Sequence, residues 1–481
     1  MTTSNNLEQK TNYKALFSLV TVFFFWGFVA ASNDILIPVF KKAFDLTQGQ
    51  SQLVSLAFYI AYTVGSLIYM VISYFLKQDI VNKIGYKNGL ALGLFISALG
   101  TLLFYPAANT GSFPLMLSGL FTVALGFSLQ QTVANPLAIA LGPVNTGSQR
   151  LTLAGGINNL GTTIGPLIVS FAIFGVSSNA STEMSIESVK IPYLILGLAF
   201  LIVAVLLKFS SLPDKPGVTV DVNEHTNSLK KSALHYPQLV LGMIAIFVYV
   251  GVEVATASNL PAYMEKNLGF LTKDVAPYIS LYWASLMIGR WTGAVEILSE
   301  RVNVQKILKF VLPYLAFGVF LVVNAIAKND LSPFYVYGFI ILILIIADII
   351  SKGNPARMLM LFSVLGIIAL FTGMATDGLI SVYAFTSVGL FCSTLWPCIF
   401  TLAISGLGKH TSQGSSFLIM MIMGGGIISW LQGFVADNTN IHFSYIMGVI
   451  CFAYLAFYAI VVTKILKKQG IDFSKKIEAG H

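Results

Sequence analysis

WGFVAASNDILIPVF, residues 26–40, lies inside a run of roughly 25 mostly apolar residues, the length of a membrane-spanning helix. Within it, Asn33 stands next to Asp34. In a soluble core helix the pair would be out of place. In a lipid-spanning helix it costs several kcal/mol unless it faces water or a partner. The rest of the chain decides between these settings.

The chain has 481 residues, of which 56% are hydrophobic and only 10% charged, with a mean hydropathy of +0.80. Globular domains carry about 25% charged residues, so this chain has too few charges to solvate a globule of its size. Its apolar residues come in blocks of about 20, the length that crosses a hydrocarbon core. The composition predicts an all-α polytopic membrane protein. A transmembrane β-barrel would instead show ten-residue alternating segments. The first apolar block, from Ala15 to Phe40, is too long for a signal peptide, has no small-residue cleavage site and contains Asp34, so it is expected to stay as a span. Cys392, Cys398 and Cys451 all fall in apolar runs and point to packing, with neither a metal site nor a disulfide framework.

Fourteen candidate spans follow: 14–40, 51–76, 86–106, 113–141, 149–175, 191–211, 237–264, 276–298, 304–327, 332–351, 358–376, 379–405, 412–435 and 441–466. With the N-terminus placed in the cytoplasm, Lys41, Lys42, Lys190, Lys266, Lys273 and Lys328 fall outside, and the other 22 of the 28 basic residues fall inside. That is the bias the positive-inside rule asks of short loops. The net charge of +8 is therefore topological. An even span count also puts the tail KILKKQGIDFSKK (464–476) in the cytoplasm, beside anionic lipid.

Residues 212–236 are polar, carry two prolines and lack a long apolar run, which marks a cytoplasmic linker after six spans. It divides the chain into a bundle at 1–211 and another at 237–481, the layout of a carrier built from internal repeats. The repeat is weak but present. WGFVAASNDILIP (26–38) echoes VGVEVATASNLP (250–261), QTVANPLAIALG (131–142) echoes TLWPCIFTLAISG (394–406), and NNLGTTIG (158–165) echoes MGGGIISW (423–430). The offset is about 225 residues for the first pair and about 261 for the next, a difference close to two spans with their loops. An extra helix pair is thus expected at about 304–351, packed outside a twelve-helix core.

Taken together, SNDILIPVF (32–40), LQQTVANPLAIALGP (129–143), RLTLAGGINNLGTTIGP (150–166), YWASLMIGRWTG (282–293), LWPCIFTLAISGLG (395–408) and SQGSSFLIMMIMGGGI (412–427) resemble the major facilitator superfamily. Within it they resemble the fucose–proton symporter family, in its glucose/galactose transporter-like branch. The resemblance implies the major facilitator fold, two six-helix bundles working by alternating access, here with two inserted helices. It also implies import of a hexose-type sugar driven by an ion gradient, with an essential aspartate at Asp34. The sequence departs from the family in three places. The loop after the second span, LKQDIVNKIGYK (76–87), is degenerate. Gln131 stands where fucose carriers have a carboxylate, and Gly155 where they have a glutamine. The last two differences point away from fucose and toward glucose or galactose.

Removing a carboxylate from water disfavours its charged form, which suits Asp34 to take up a proton and release it when a cavity floods. Glu253, in the seventh span, is the second candidate for ion or proton coupling, because intramembrane carboxylates are functional by default. Glu296 and Asp348 lie near the cytoplasmic ends of their spans, where a salt bridge accounts for them. Arg290, in GRWTG, is expected to tie a helix end into a gating network. Asn33, Gln130, Gln131, Asn135, Asn158, Asn159 and Asn259 offer donors and acceptors matched to sugar hydroxyls. Trp26, Tyr282, Trp283 and Trp396 fall near these motifs, where aromatic rings can stack on a pyranose. Gly89/Gly93 and Gly161/Gly165 fit close helix crossings.

Two other classes are weighed. A drug or lipid exporter would need a broad apolar pocket, and seven in-span amides oppose that. A membrane enzyme would need a catalytic motif, and there is no HExxH, nucleophile elbow, P-loop or soluble catalytic domain. The expectation is a secondary transporter without cofactor or bound metal. Its coupling ion is H⁺, or Na⁺ held through oxygen ligands. It is a monomer in the bacterial inner membrane with both termini cytoplasmic. Its partners are a sugar and the bilayer, with no nucleic acid.

Overall fold

The computed structural model describes residues 12–76, 84–142, 147–174, 189–213, 232–293, 295, 301–407, 410–471 and 473. Glu296, residues 77–83 of the second loop and residues 214–231 of the linker lie outside these. Among the described residues the chain is helical, without strands.

Fourteen long helices follow one another: α1 Tyr13–Ala43, α2 Leu53–Leu76, α3 Tyr86–Leu102 (carried on by Phe104–Thr110), α4 Phe113–Ala140, α5 Gly147–Phe174, α6 Lys190–Lys208, α7 Pro237–Leu268, α8 Thr272–Gly293, α9 Val302–Ile326, α10 Tyr337–Ser351, α11 Pro355–Ala375, α12 Gly378–Cys392 continued by Leu395–Ile404, α13 Thr411–Met420 continued by Gly424–Asn438, and α14 Ile446–Lys468. Short polar caps start several of them. Asn12 accepts from the Ala15 N–H at 3.0 Å, and Asn354 from the Arg357 N–H at 3.0 Å just ahead of Pro355. Such caps satisfy amide groups that the first helical turn leaves open.

Thirteen of these spans are long and apolar enough to cross a membrane. The other helix, α8, is more polar, and it is buried along nearly its whole length against α5, α9 and α12. Protein, not lipid, solvates it. The outer helices show the opposite surface: Phe75, Leu206, Ile326 and Phe339 point out of the protein. In a soluble protein that surface would aggregate; here it meets acyl chains.

The start of α1 meets the end of α4, with the Asn12 N–H on the Leu141 carbonyl at 2.8 Å. The start of α7 meets the end of α14 through Gln238 and Gln469. The start of α1 and the end of α14 therefore lie at one end of the bundle, called here the terminal end. Helix pairing repeats along the chain. α1 packs on α5 as α7 packs on α13; α3 packs on α4 and α6 as α11 packs on α12 and α14. In this pattern α8 takes the place of α2, α11 that of α3, and α9 and α10 have no counterpart. α9 packs on α8, and α10 packs on α11 and α12. A 2.7 Å salt bridge from Lys309 Nζ to Asp348 Oδ2 clips the pair together.

The glycine pairs sit where backbones nearly touch. A Cβ at Gly161 would lie 2.1 Å from the Phe24 carbonyl oxygen, one at Gly165 2.5 Å from that of Phe28, and one at Gly27 1.9 Å from that of Asn158. α1 and α5 are thus in backbone contact along two turns, an approach only glycine permits.

Candidate functional site

A cavity of about 230 Å³ lies between the two repeats. Phe23 and Trp26 of α1, Gln131 and Asn135 of α4, and Leu151, Gly155 and Asn158 of α5 form one wall. Tyr249, Val250 and Glu253 of α7, Arg290 of α8, Trp396, Pro397, Phe400 and Thr401 of α12, and Ile422 of α13 form the other. Most of these residues fall in the part of their helix nearer the terminal end, so the cavity occupies that half of the core. None of its lining comes from α9 or α10.

Seven residues singled out by sequence line it: Trp26, Gln131, Asn135, Asn158, Glu253, Arg290 and Trp396. Gln131 Nε2 donates to the Tyr62 hydroxyl at 3.4 Å, and Asn158 Nδ2 to the Phe23 carbonyl at 2.9 Å. The Tyr249 hydroxyl donates to the Glu253 carboxylate. Arg290 reaches the Ser393 carbonyl through Nε at 3.4 Å and the Gly155 carbonyl through Nη1 at 3.5 Å. A Cβ on Gly155 would lie 3.3 Å from that Nη1. The space left by the missing side chain at Gly155 thus lies beside the guanidinium. Aromatic rings group on both walls: Tyr249 and Trp396 rings lie 6.2 Å apart, as do Trp396 and Phe400, and across the cavity the Phe23 ring lies 4.4 Å from that of Trp26.

The other candidates lie outside the cavity lining. Gln130 is buried; its Oε1 accepts from Trp26 Nε1 at 2.9 Å and its Nε2 donates to Ser97 Oγ at 3.2 Å, so it orients Trp26 from behind. Asp34 is buried, and its Oδ2 accepts from Trp283 Nε1 at 2.8 Å. Tyr282, the neighbour of Trp283, donates to the Glu253 carbonyl at 2.6 Å. Asn33 is buried, and neither of its amide atoms has a hydrogen-bond partner; Asn159 Oδ1 is likewise unpartnered, while its Nδ2 donates to Thr162 Oγ1 at 3.3 Å. Sequence reading missed Phe23, Tyr62 and Tyr249. With 13% aromatics in the chain, no signal separates these rings from packing.

Asn259 belongs to the opposite end, where the two repeats are pinned together. Its Oδ1 accepts from Gln48 Nε2 at 3.0 Å, and Gln52 Nε2 donates to the Ser258 carbonyl at 3.1 Å. The Asp437 carboxylate accepts from the backbone N–H groups of Gln48 and Gly49 at 2.8 and 2.7 Å. Lys42 bonds Thr272 at 2.9 Å and pairs with Glu265 at 3.4 Å. Nearer the cavity the repeats meet through Arg290 Nη1 on the Gly155 carbonyl at 3.5 Å and Thr63 Oγ1 on the Met420 carbonyl at 2.7 Å. Among the described residues no group of three or more His, Cys, Asp or Glu gathers as metal ligands would.

Two pseudo-symmetric helical repeats around a central cavity of aromatic rings and a few polar groups, pinned together at one end, define a membrane carrier. The chain belongs to the major facilitator superfamily: the family model matches residues 15–328. The chain is 35% identical to a glucose/galactose transporter of Brucella abortus over 96% of its own length and 98% of the relative's. It is 29% identical to the L-fucose–proton symporter of Escherichia coli, covering 94% of each. Among solved structures, FucP in the outward conformation superposes with a TM-score of 0.62 at 27% identity, covering 93% of this chain and 98% of that one. The protein is a multi-pass membrane carrier and not an enzyme.

Proposed function

We propose that the protein imports a hexose-type sugar, glucose or galactose before fucose, by proton symport across the bacterial inner membrane. The cavity carries this reading. Three amides, Gln131, Asn135 and Asn158, meet five aromatic rings, Phe23, Trp26, Tyr249, Trp396 and Phe400, between two repeats that can rock. Amides match hydroxyls as donors and acceptors, and rings match the apolar face of a pyranose. At about 230 Å³ the cavity is smaller than the roughly 300–1,000 Å³ of drug-sized sites, which speaks for a small solute over a drug or lipid. The names of the relatives support the same class.

In this reading both termini are cytoplasmic, a twelve-helix core carries α9 and α10 as an added hairpin, and the cavity faces inward behind a sealed outer end. Asp34 carries the proton. Glu253 is a second coupling or sugar-binding group, and Arg290 ties α8 to the α12 break and to α5 as a gate. Uptake of a panel of radiolabelled hexoses into membrane vesicles, at two external pH values and with or without Na⁺, tests it. Accumulation that responds to pH and collapses with an uncoupler is expected; its absence for every hexose overturns the proposal. The buried, unpartnered oxygen of Asn33, next in the chain to the Asp34 carboxylate, favours Na⁺ as the second reading, since Na⁺ takes oxygen ligands. Uptake that follows Na⁺ and ignores pH would establish it.

A further inference from the structure

A second cavity, about 450 Å³, opens on the outside of the bundle, far from the sugar cavity in character. Asn354, Ala356, Arg357 and Met360 of the first turns of α11 form one side. Ala459, Ile460, Thr463, Lys464, Leu466 and Lys467 of the last turns of α14 form the other. Leu402 of α12 forms the floor, and the chain beyond α14 returns along the rim with Ile471 and Phe473. The Ile471 N–H on the Leu466 carbonyl at 2.9 Å holds that return in place.

The groove is two-toned. Met360, Leu402, Ala459, Ile460 and Phe473 make apolar walls, while Arg357, Lys464 and Lys467 bring three cationic side chains and no carboxylate among the lining residues. Arg357 and Lys464 are exposed. The groove also continues the lipid-facing surface. Val364, Ile368 and Phe371 of α11 and Ile450, Phe457 and Ile460 of α14 are all exposed apolar residues on the same two helices. α14 is 23 residues long, about 35 Å, so its last turns reach the headgroup level of a bilayer with a hydrocarbon core of about 30 Å. Cations at the headgroup level above an apolar slot match one ligand chemistry: a phosphodiester with acyl chains.

We propose that this groove binds one anionic phospholipid, its phosphate between Arg357 and Lys464 and an acyl chain along Met360 and Ile460. Basic pockets between transmembrane helices on the cytoplasmic side take such headgroups. A soluble phosphate would use the cations and leave the apolar walls bare. A zwitterionic lipid would use the walls and gain little from the positive charges of Arg357 and Lys464. The site is independent of the sugar reading, because it shares no lining residue with the central cavity.

Native mass spectrometry of the full chain in detergent, titrated with palmitoyl-oleoyl phosphatidylglycerol or with phosphatidylcholine of the same chains, tests the proposal. One phosphatidylglycerol is expected to bind about tenfold more tightly than phosphatidylcholine. R357Q/K464Q is expected to lose that preference. M360W, which keeps every charge and fills the slot, is expected to lose the bound lipid as well, and it decides the matter should the double variant fail to fold. Glycerol phosphate at millimolar concentration is expected not to displace the lipid. Equal binding of the two lipids, wild-type affinity in both variants, or displacement by glycerol phosphate would each overturn the proposal, the last in favour of a soluble anion.

Discussion

Asp34 and Glu253 stand on helices that touch, α1 and α7, yet their surroundings differ in kind. Asp34 is dry: it is buried outside the cavity lining, and its carboxylate meets the Trp283 indole. Glu253 lines the cavity with Arg290, and its carboxylate meets the Tyr249 hydroxyl. Two adjacent residues of α8 reach both sites, Trp283 to the Asp34 side chain and Tyr282 to the Glu253 backbone. A carboxylate that meets solvent only when the core rearranges is placed to gate a proton. One in the cavity wall, facing a fixed cation, is placed to hold what enters. Similar chemistry on similar helices is thus divided by hydration and by the groups each carboxylate faces.

The largest effect should come from the dry site. Asp34→Asn removes the carboxylate and keeps an oxygen for the indole hydrogen bond, so gradient-driven accumulation is expected to vanish while sugar exchange across the membrane persists. Accumulation at the wild-type level would erase the distinction between the two sites. Glu253→Gln is expected to lower transport at least tenfold, about 1.4 kcal/mol on the limiting step. Wild-type transport by this variant across a pH and Na⁺ series would leave Asp34 to carry coupling alone.

The sealed end gives a smaller effect. Asp437→Ala removes two charge-assisted hydrogen bonds to the Gln48 and Gly49 amides at an exposed position. About 1 kcal/mol is expected, a roughly fivefold shift toward the state open at that end. Thiol labelling of single cysteines placed beneath the seal measures it, and unchanged labelling rates would show that the other crossings suffice. The smallest effect is expected at Gln131. Gln131→Ala should raise the apparent KM for sugar a few-fold with little change in maximal rate, measured by uptake kinetics. A fall in maximal rate alone would move Gln131 from sugar contact to coupling.

The membrane fold was legible because apolar blocks of the right length leave little choice. α8 was countable as a span only by its position between loops; its polarity makes sense once α5, α9 and α12 are seen to enclose it. The site was half legible. Carboxylates in apolar runs announce themselves, but successive residues on a helix point about 100° apart, and sequence alone does not say which of two neighbours faces inward. Gln131 lines the cavity while Gln130 holds Trp26 from behind; Asn158 lines it while Asn159 packs against Thr162. Asn259 looks like its counterparts in composition and lies instead in the seal, because the amide chemistry that suits a sugar also suits a contact between two repeats.

The backbone contact of α1 and α5 has a mechanical consequence. Two helices with no side-chain cushion between them cannot slide or roll separately, so they behave as a single beam. Trp26 sits at one station on that beam and Asp34 eight residues further, about 12 Å along the axis. On the proposed function, a sugar that tilts the beam by pressing on Trp26 would displace Asp34 against α8, with no relay of intervening side chains. Gly27, Gly161 and Gly165 are then the rivets, and methyl groups there would slacken coupling at a distance from both sugar and proton.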